Sequence, residues 1–309
     1  MMRILVTGAS GLLGLNFALA VDGKHHQVTG VANTAPHIRV NFPYLQAELT
    51  EPGIIEKLLD SEKPDLILHT AALANMEACE ADPQLAAEVN GVLPGRIAEA
   101  AGRHDIQMIH ISTDAVFDGT KGDYRESDTP NPLNVYARTK REGEQVVIEA
   151  NPRALVARVN FYGWSMSGTR SLAEFFVNHL AAGKSVKGFT DVLFCPLMVL
   201  DLADLLLEAA EQKLHGIYHL VGAKAMSKFD FGTAIAHKFG FDPALITPAS
   251  VFDGGLVAAR SPNLSLNTDK LTQALGHSLP AFETGLARFY EQYQAGFPQY
   301  LRELAQPVV

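Results

Sequence analysis

The run Tyr136-Ala-Arg-Thr-Lys140 sets a phenol and an ammonium four residues apart. On a helix that spacing puts both side chains on one face, within reach of each other. A phenol titrates near pH ~10 and exchanges protons poorly at neutral pH, but a neighbouring cation favours its anion and lowers that value. The pair suits proton delivery to a carbonyl oxygen while a reduced nicotinamide gives hydride to the carbonyl carbon. Thr113, at the end of the strand pattern Gln107 to Ser112, adds a hydroxyl for the same oxygen. In this arrangement Thr113 hydrogen-bonds the substrate carbonyl, Tyr136 supplies the proton, and Lys140 tunes Tyr136 and contacts the nicotinamide ribose.

A Tyr-x-x-x-Lys run alone also describes an exposed aromatic–cation pair, so its meaning depends on its surroundings. The chain opens on Arg3-Ile-Leu-Val-Thr-Gly8-Ala-Ser10-Gly11-Leu12-Leu-Gly14. Ile4 to Val6 read as a strand buried on both faces, and an apolar helical pattern runs from Leu12 to Val21. Between them, Gly8, Gly11 and Gly14 have separable jobs: a tight turn, a backbone that approaches a pyrophosphate, and close packing of helix on strand. The first-turn N–H groups, from Leu12, and the helix dipole point at the anion, and Ser10 adds a hydroxyl.

The remaining elements position these groups. A second strand, Gln27 to Ala32, ends at Asn33, where an acid about 20 residues past the glycines would hold the adenosine ribose and repel a 2′-phosphate. Asn33, followed by His37 and Arg39, favours NADP over NAD. A helix from Gly53 to Ser61 leads to the strand Asp65 to His69, and the small residues Ala71 and Ala72 let a cofactor run close to backbone. Ala81 to Arg103 reads as one long Ala-rich helix, and a helix runs from Tyr136 to about Ala150. Further strands are expected at Ala154 to Val159 and Gly216 to Val221, with helices at Asp201 to Gln212, Phe229 to Phe239, Thr268 to Leu275 and Ala281 to Tyr293. The fold class is α/β: a Rossmann-type doubly wound parallel sheet with a smaller C-terminal α/β substrate domain. Ligands gather at the carboxyl ends of such strands, where Thr113 and Asp114 emerge.

At 309 residues, 47% hydrophobic and 19% charged, the chain has ample material for a buried core. A net charge of −9 without clustered Lys and Arg argues against nucleic-acid binding. Cys79 and Cys195 read as ordinary thiols in a reducing compartment. His25-His26 and the group Glu77, Cys79 and Glu80 lack metal-ligand spacing, so no metal is expected. No basic-then-apolar leader opens the sequence and no run of about 18 apolar residues occurs, which points to the cytoplasm and away from membranes.

The glycine loop, with its Gly-x-x-Gly-x-x-Gly spacing, resembles that of the extended short-chain dehydrogenase/reductases. Ser112-Thr113-Asp114-Ala-Val-Phe-Asp-Gly119, the run Pro130-x-Pro132-Leu133-Asn134-x-Tyr136 and Arg260-Ser-Pro-Asn263 are similar to the dTDP-4-dehydrorhamnose reductase branch. That resemblance implies NAD(P)H-dependent reduction of a 4-keto nucleotide sugar. It also implies that Glu48 and Leu49 lie near adenine, that Asn90 shapes the cofactor side of the site, and that Asp114, Asn160, Phe161, Arg260 and Asn263 meet the sugar or diphosphate. Residues 1–159 with 188–221 are expected to form the dinucleotide domain, and 160–187 with 222–309 the substrate domain. A homodimer through the helices of Asn90 and Lys140 is implied as well. The branch carries Tyr where Ala115 stands, and dehydratases carry a Glu there, so elimination of water is set aside. Two alternatives share the branch: a non-catalytic NADP-binding subunit similar to methionine adenosyltransferase beta, and a nucleotide-sugar epimerase.

Overall fold

Apolar runs without alternation make strands that are covered on both faces, and here the two sets of side chains separate by parity. In β1 (Arg3–Thr7) and β4 (Leu66–His69), Ile4, Val6, Leu66 and Leu68 face one core while Leu5 and Ile67 face the other. The computed structural model describes residues 1–24, 26–33, 38–253 and 261–305. Between β1 and β4 come α1 (Leu12–Val21), β2 (Gln27–Ala32), β3 (Tyr44–Gln46) and α2 (Ile54–Glu62). After β4 follow α3 (Met76–Ala81), α4 (Pro83–Ala86), a π-helical turn (Ala87–Val92), α5 (Leu93–Arg103), β5 (Gln107–Thr113), α6 (Val135–Ala150) and β6 (Leu155–Val159).

The second half contributes β7 (Phe161–Tyr162), α7 (Leu172–Ala181), β8 (Val186–Phe189), β9 (Leu193–Phe194), β10 (Leu197–Met198), α8 (Val199–Glu211) and β11 (Gly216–Leu220). It closes with β12 (Met226–Ser227), α9 (Lys228–Phe239), β13 (Ile246–Ala249), α10 (Asp269–Leu275), α11 (Phe282–Gln294) and α12 (Phe297–Leu304). Seven strands form one parallel sheet in the order β11-β6-β5-β4-β1-β2-β3, so the chain winds outward in both directions from β1 and β4. Leu13 and Phe17 of α1 and Leu202 and Leu206 of α8 cover one face. Leu58 of α2, Ile97 of α5 and Val147 of α6 cover the other. Each such side chain contributes about 1.5–3 kcal/mol by leaving water.

Three two-stranded ribbons, β7 with β10, β8 with β13 and β9 with β12, sit beside the carboxyl edge of the sheet. Within residues 188–198, expected above in the dinucleotide unit, β8 and β9 find their partners in β13 and β12 rather than in the main sheet. Trp164, stacked on Phe289 at 4.1 Å, and Tyr162, edge-on to Phe231, join this layer to the main core.

The expected single helix over Ala81 to Arg103 is broken. Pro83 restarts the chain as α4, capped by Asp82, whose carboxylate accepts from the Leu85 N–H at 3.0 Å. Pro94 has no N–H for the carbonyl four residues back, and its ring crowds that carbonyl, which belongs to Asn90. The helix widens into a π turn there, with Leu93 N–H bonded to Glu88 O. The released Asn90 carbonyl packs against α6 at Gly143, where a Cβ would stand 2.2 Å from the oxygen.

Gly143→Ala therefore tests two opposed effects. Helix propensity favours Ala by about 1 kcal/mol, whereas forcing apart a well-packed contact typically costs about 1–3 kcal/mol. The backbone oxygen cannot yield as a side chain would, so we expect a net loss of stability, read as a lower urea midpoint at unchanged m-value.

Candidate active site

A cleft of about 1010 Å³ runs along the carboxyl edge of the sheet. One end is lined by Asn33, Glu48 and Leu49, the middle by Gly8, Ser10, Gly11, Leu12, Ala71 and Ala72, and the opposite wall by Thr113, Asp114, Tyr136 and Lys140. Asn160 and Phe161 continue that wall toward the ribbons. The strands deliver these groups to one edge because all of them run parallel and end on the same side.

The glycine loop has the form expected of a phosphate cradle. Gly8 adopts φ +69°, and a Cβ there would lie 2.6 Å from Ala71 N. Gly14 lies outside the cleft lining and performs the packing job, since a Cβ would stand 2.5 Å from Gly8 O and 2.8 Å from Thr70 Oγ1. The N-terminus of α1 has no side-chain cap, so its first N–H groups are available to an anion beside Ser10 and Gly11. These features fit a dinucleotide pyrophosphate.

Across the cleft, Thr113 Oγ1 accepts from Ala115 N and donates to Asp114 Oδ1, both at 3.2 Å. Asp114 also accepts from Asn160 Nδ2 at 2.5 Å. Burial pushes the Asp114 carboxyl up to about 6, against the pull of Asn160, Thr113 and Lys228. The Tyr136 phenol is pushed up to about 12, first by burial, then by the charges of Asp114 and Cys79, while its hydrogen bond with Thr113 pulls the other way. Part of the ring still opens on the cleft.

Lys140 does not lower the phenol as the spacing suggested. Its ammonium turns beneath the wall, donating to Ile111 O at 2.7 Å and to His110 Nε2 at 3.3 Å. It is 2% exposed, and burial brings it down to about 8 despite the nearby Glu144 carboxylate. In this state the phenol is a fully protonated acid at neutral pH.

The family described as "RmlD substrate binding domain" matches residues 2–295. The chain belongs to this family. It is 34% identical over 303 residues to the "Probable low-salt glycan biosynthesis reductase Agl14" of Haloferax volcanii, covering 97% of this chain and 99% of that one. It is 31% identical over 293 residues to the "Methionine adenosyltransferase 2 subunit beta" of Bos taurus, covering 92% and 86%. The crystal structure of a dTDP-4-dehydrorhamnose reductase from Clostridium acetobutylicum superimposes with a TM-score of 0.84 at 26% identity, covering 95% of this chain and all of that one. The seven-stranded sheet and the cleft edge are thus those of the extended short-chain dehydrogenase/reductase class.

Some expected site residues of this RmlD-family chain lie elsewhere. Asn90 is fully buried and does not line the cleft; its amide accepts from Leu73 N and donates to Leu73 O and Thr139 Oγ1, tying the end of the β4 loop to α6. Arg39 is exposed and outside the lining, with its N–H on Leu304 O at 3.1 Å. Asn263 accepts from Ser265 and packs under Gly119 and Gly122, holding the loop after Phe117 rather than facing a ligand. His25, His37 and Arg260 lie outside the described residues. In the other direction, Arg170, Val192, Phe194, Lys228, Ser261 and Leu264 line the far end of the cleft. They come from segments distant in sequence that only the tertiary fold assembles, and of them only Ser261 falls in a run quoted above, Arg260-Ser-Pro-Asn263. His69 and His110 beneath Lys140 had one available signal, a histidine in a run otherwise buried on both faces.

The displaced pKa of Lys140 carries a stability consequence. Its folded value lies below its ordinary one, so the buried ammonium opposes folding at neutral pH, and that cost disappears as pH rises from about 8 toward 10.5. Lys140→Met should equal or exceed the native chain in melting temperature at pH 7, and the native chain should gain on it between pH 8 and 10 by scanning fluorimetry.

Proposed function

We propose that the protein is an NAD(P)H-dependent reductase of a 4-keto nucleotide sugar, acting on the C4 ketone of a dTDP-6-deoxy-hexulose. The observation that carries this reading is one continuous cleft with the glycine loop on one wall and Thr113, Tyr136 and Lys140 on the other. Gly8, Ser10, Gly11 and the first turn of α1 would hold the pyrophosphate, Ala71 and Ala72 would border its path, and Glu48 with Leu49 would border the adenine. Asn33 places no carboxylate at the end of β2 and so supports NADP. When bound, the reduced nicotinamide supplies hydride to the carbonyl carbon. Tyr136 gives its phenolic proton to the carbonyl oxygen, for which its high pKa keeps it fully charged with proton at neutral pH. Thr113 turns its hydroxyl from Asp114 to the same oxygen, and Asn160 keeps Asp114 in place.

The likeness to a methionine adenosyltransferase beta subunit favours a second reading, an NADP-binding regulatory subunit. One experiment separates the two. NADPH and NADH oxidation are followed at the nicotinamide absorbance with dTDP-4-dehydro-6-deoxy-L-mannose, for the native chain and Tyr136→Phe. Reduction that falls by about a hundredfold or more in the variant, with cofactor affinity kept, is the expected result. Tight NADPH binding without oxidation of this or other 4-keto nucleotide sugars would overturn the reductase reading and favour the regulatory one.

A further inference from the structure

Under the reaction wall lies a set of buried polar groups that ketone reduction, as described above, does not use. His69 ends β4 and His110 is its register partner on β5; both are 0% exposed, with ring centroids 5.3 Å apart and planes 25° from parallel. His69 Nδ1 meets Thr7 Oγ1 at 2.7 Å, and His110 Nε2 meets Lys140 Nζ at 3.3 Å. An ammonium has three donors and no acceptor, so His110 Nε2 receives the bond with a lone pair and the ring holds its proton on Nδ1.

The surroundings keep that ring neutral. Burial, the Lys140 charge and His69 all hold His110 well below its ordinary value, and burial with Lys140 holds His69 near 3. His110 Nδ1 and His69 Nε2 have no hydrogen-bond partner among the described residues, and a second proton on either ring would bury a further cation beside Lys140, on His110 at Nε2 against the ammonium itself. His110 is faced from every packed element. From β4 comes His69, from β6 the apolar Val156, and from α6 Lys140 itself, followed one turn later by Glu144, whose carboxylate favours the ammonium.

We propose that His110 is a positioning residue for the reduction: as a neutral acceptor it holds the Lys140 ammonium beneath the wall. The bonds to His110 and Ile111 commit two of its three N–H groups and leave the third for the cleft. This inference rests on the reductase reading for the use made of Lys140. The bond to His110 adds to Glu144 in keeping a lysine so deeply buried charged at neutral pH, because a hydrogen bond from the ammonium to the neutral ring is stronger than one from the uncharged amine.

The test compares the native full chain with His110→Leu and His110→Gln. Without the acceptor, Lys140 gives up its proton more readily, so the alkaline limb of the kcat–pH profile should move down by about one unit in His110→Leu. A carboxamide oxygen in His110→Gln should return it most of the way. Long-range 15N–1H spectra of the unliganded native chain should show a neutral His110 with its proton on Nδ1 from pH 5 to 7, where Lys140 keeps its proton. A limb that stays put in His110→Leu, a ring that titrates between pH 5 and 8, or a proton on Nε2 would overturn the proposal. Should His110→Leu fail to fold, the native tautomer and His110→Gln decide. Absence of turnover at every pH in the native chain would overturn the reductase reading, and the imidazole spectrum would still judge His110.

Discussion

The position of α6, and with it the reaction wall, depends on the ion pair between Glu144 and Arg158, which are 0% and 1% exposed. Arg158 donates through Nε and a terminal nitrogen to the two Glu144 oxygens, each at 2.8 Å, in the fork geometry that guanidinium and carboxylate share. Ser112 and Arg141 complete the carboxylate at 2.7 and 3.0 Å, and the Phe117 ring lies 4.9 Å from the guanidinium carbon. Removing two charges from water consumes most of what their attraction returns, so the pair supplies orientation more than stability. Arg158 on β6 is the register partner of Ser112 on β5, the residue before Thr113, and Glu144 stands one turn beyond Lys140. The pair therefore fixes the helix that carries Tyr136 and Lys140 against the strand that carries Thr113.

What the sequence revealed and what it hid divide along physical lines. The boundaries of α1 and β2, the glycine loop and the edge residues Thr113 and Asp114 follow from local pattern: apolar runs, turn glycines and the rule that parallel strands end on one side. The break in the helix beyond Ala81 was written in Pro83 and Pro94, but the Ala-rich periodicity runs across both, and only packing on Gly143 shows that the Asn90 carbonyl is put to use. Asn90 was implied by the resemblance as shaping the site, and its amide acts from behind the cleft, holding Leu73 and Thr139 together. The far wall, with Lys228 and Phe194, could not be seen, since pairing of β9 with β12 joins segments that share no local signal.

Electrostatics was the least legible layer. The four-residue step from Tyr136 to Lys140 places both on one cleft wall, but spacing says nothing about depth. Burial overrides the simple cation–phenol attraction, leaving the phenol near 12 and the lysine near 8. A carboxyl near 6 and an ammonium near 8 in one cleft place two charge changes on either side of neutrality. Such displaced groups concentrate where a fold gives up stability for chemistry.

The π turn at Ala87–Val92 also bears on how lengths vary among related chains. Its hydrogen bonds span five residues where an α-helix spans four, so it holds one residue more than the helix around it. Each residue turns a helix by about 100°, and absorbing the surplus in one wide turn leaves Gly95 against Val146 and Gly102 near Asn151 of the opposite helix end. A relative with a single deletion inside this turn, and another residue in place of Pro94, would close it into plain α-helix and keep those facing positions. The same deletion within α5 would rotate the glycines away from α6. A single-residue deletion should therefore be tolerated in this six-residue window and excluded from the helix that follows it.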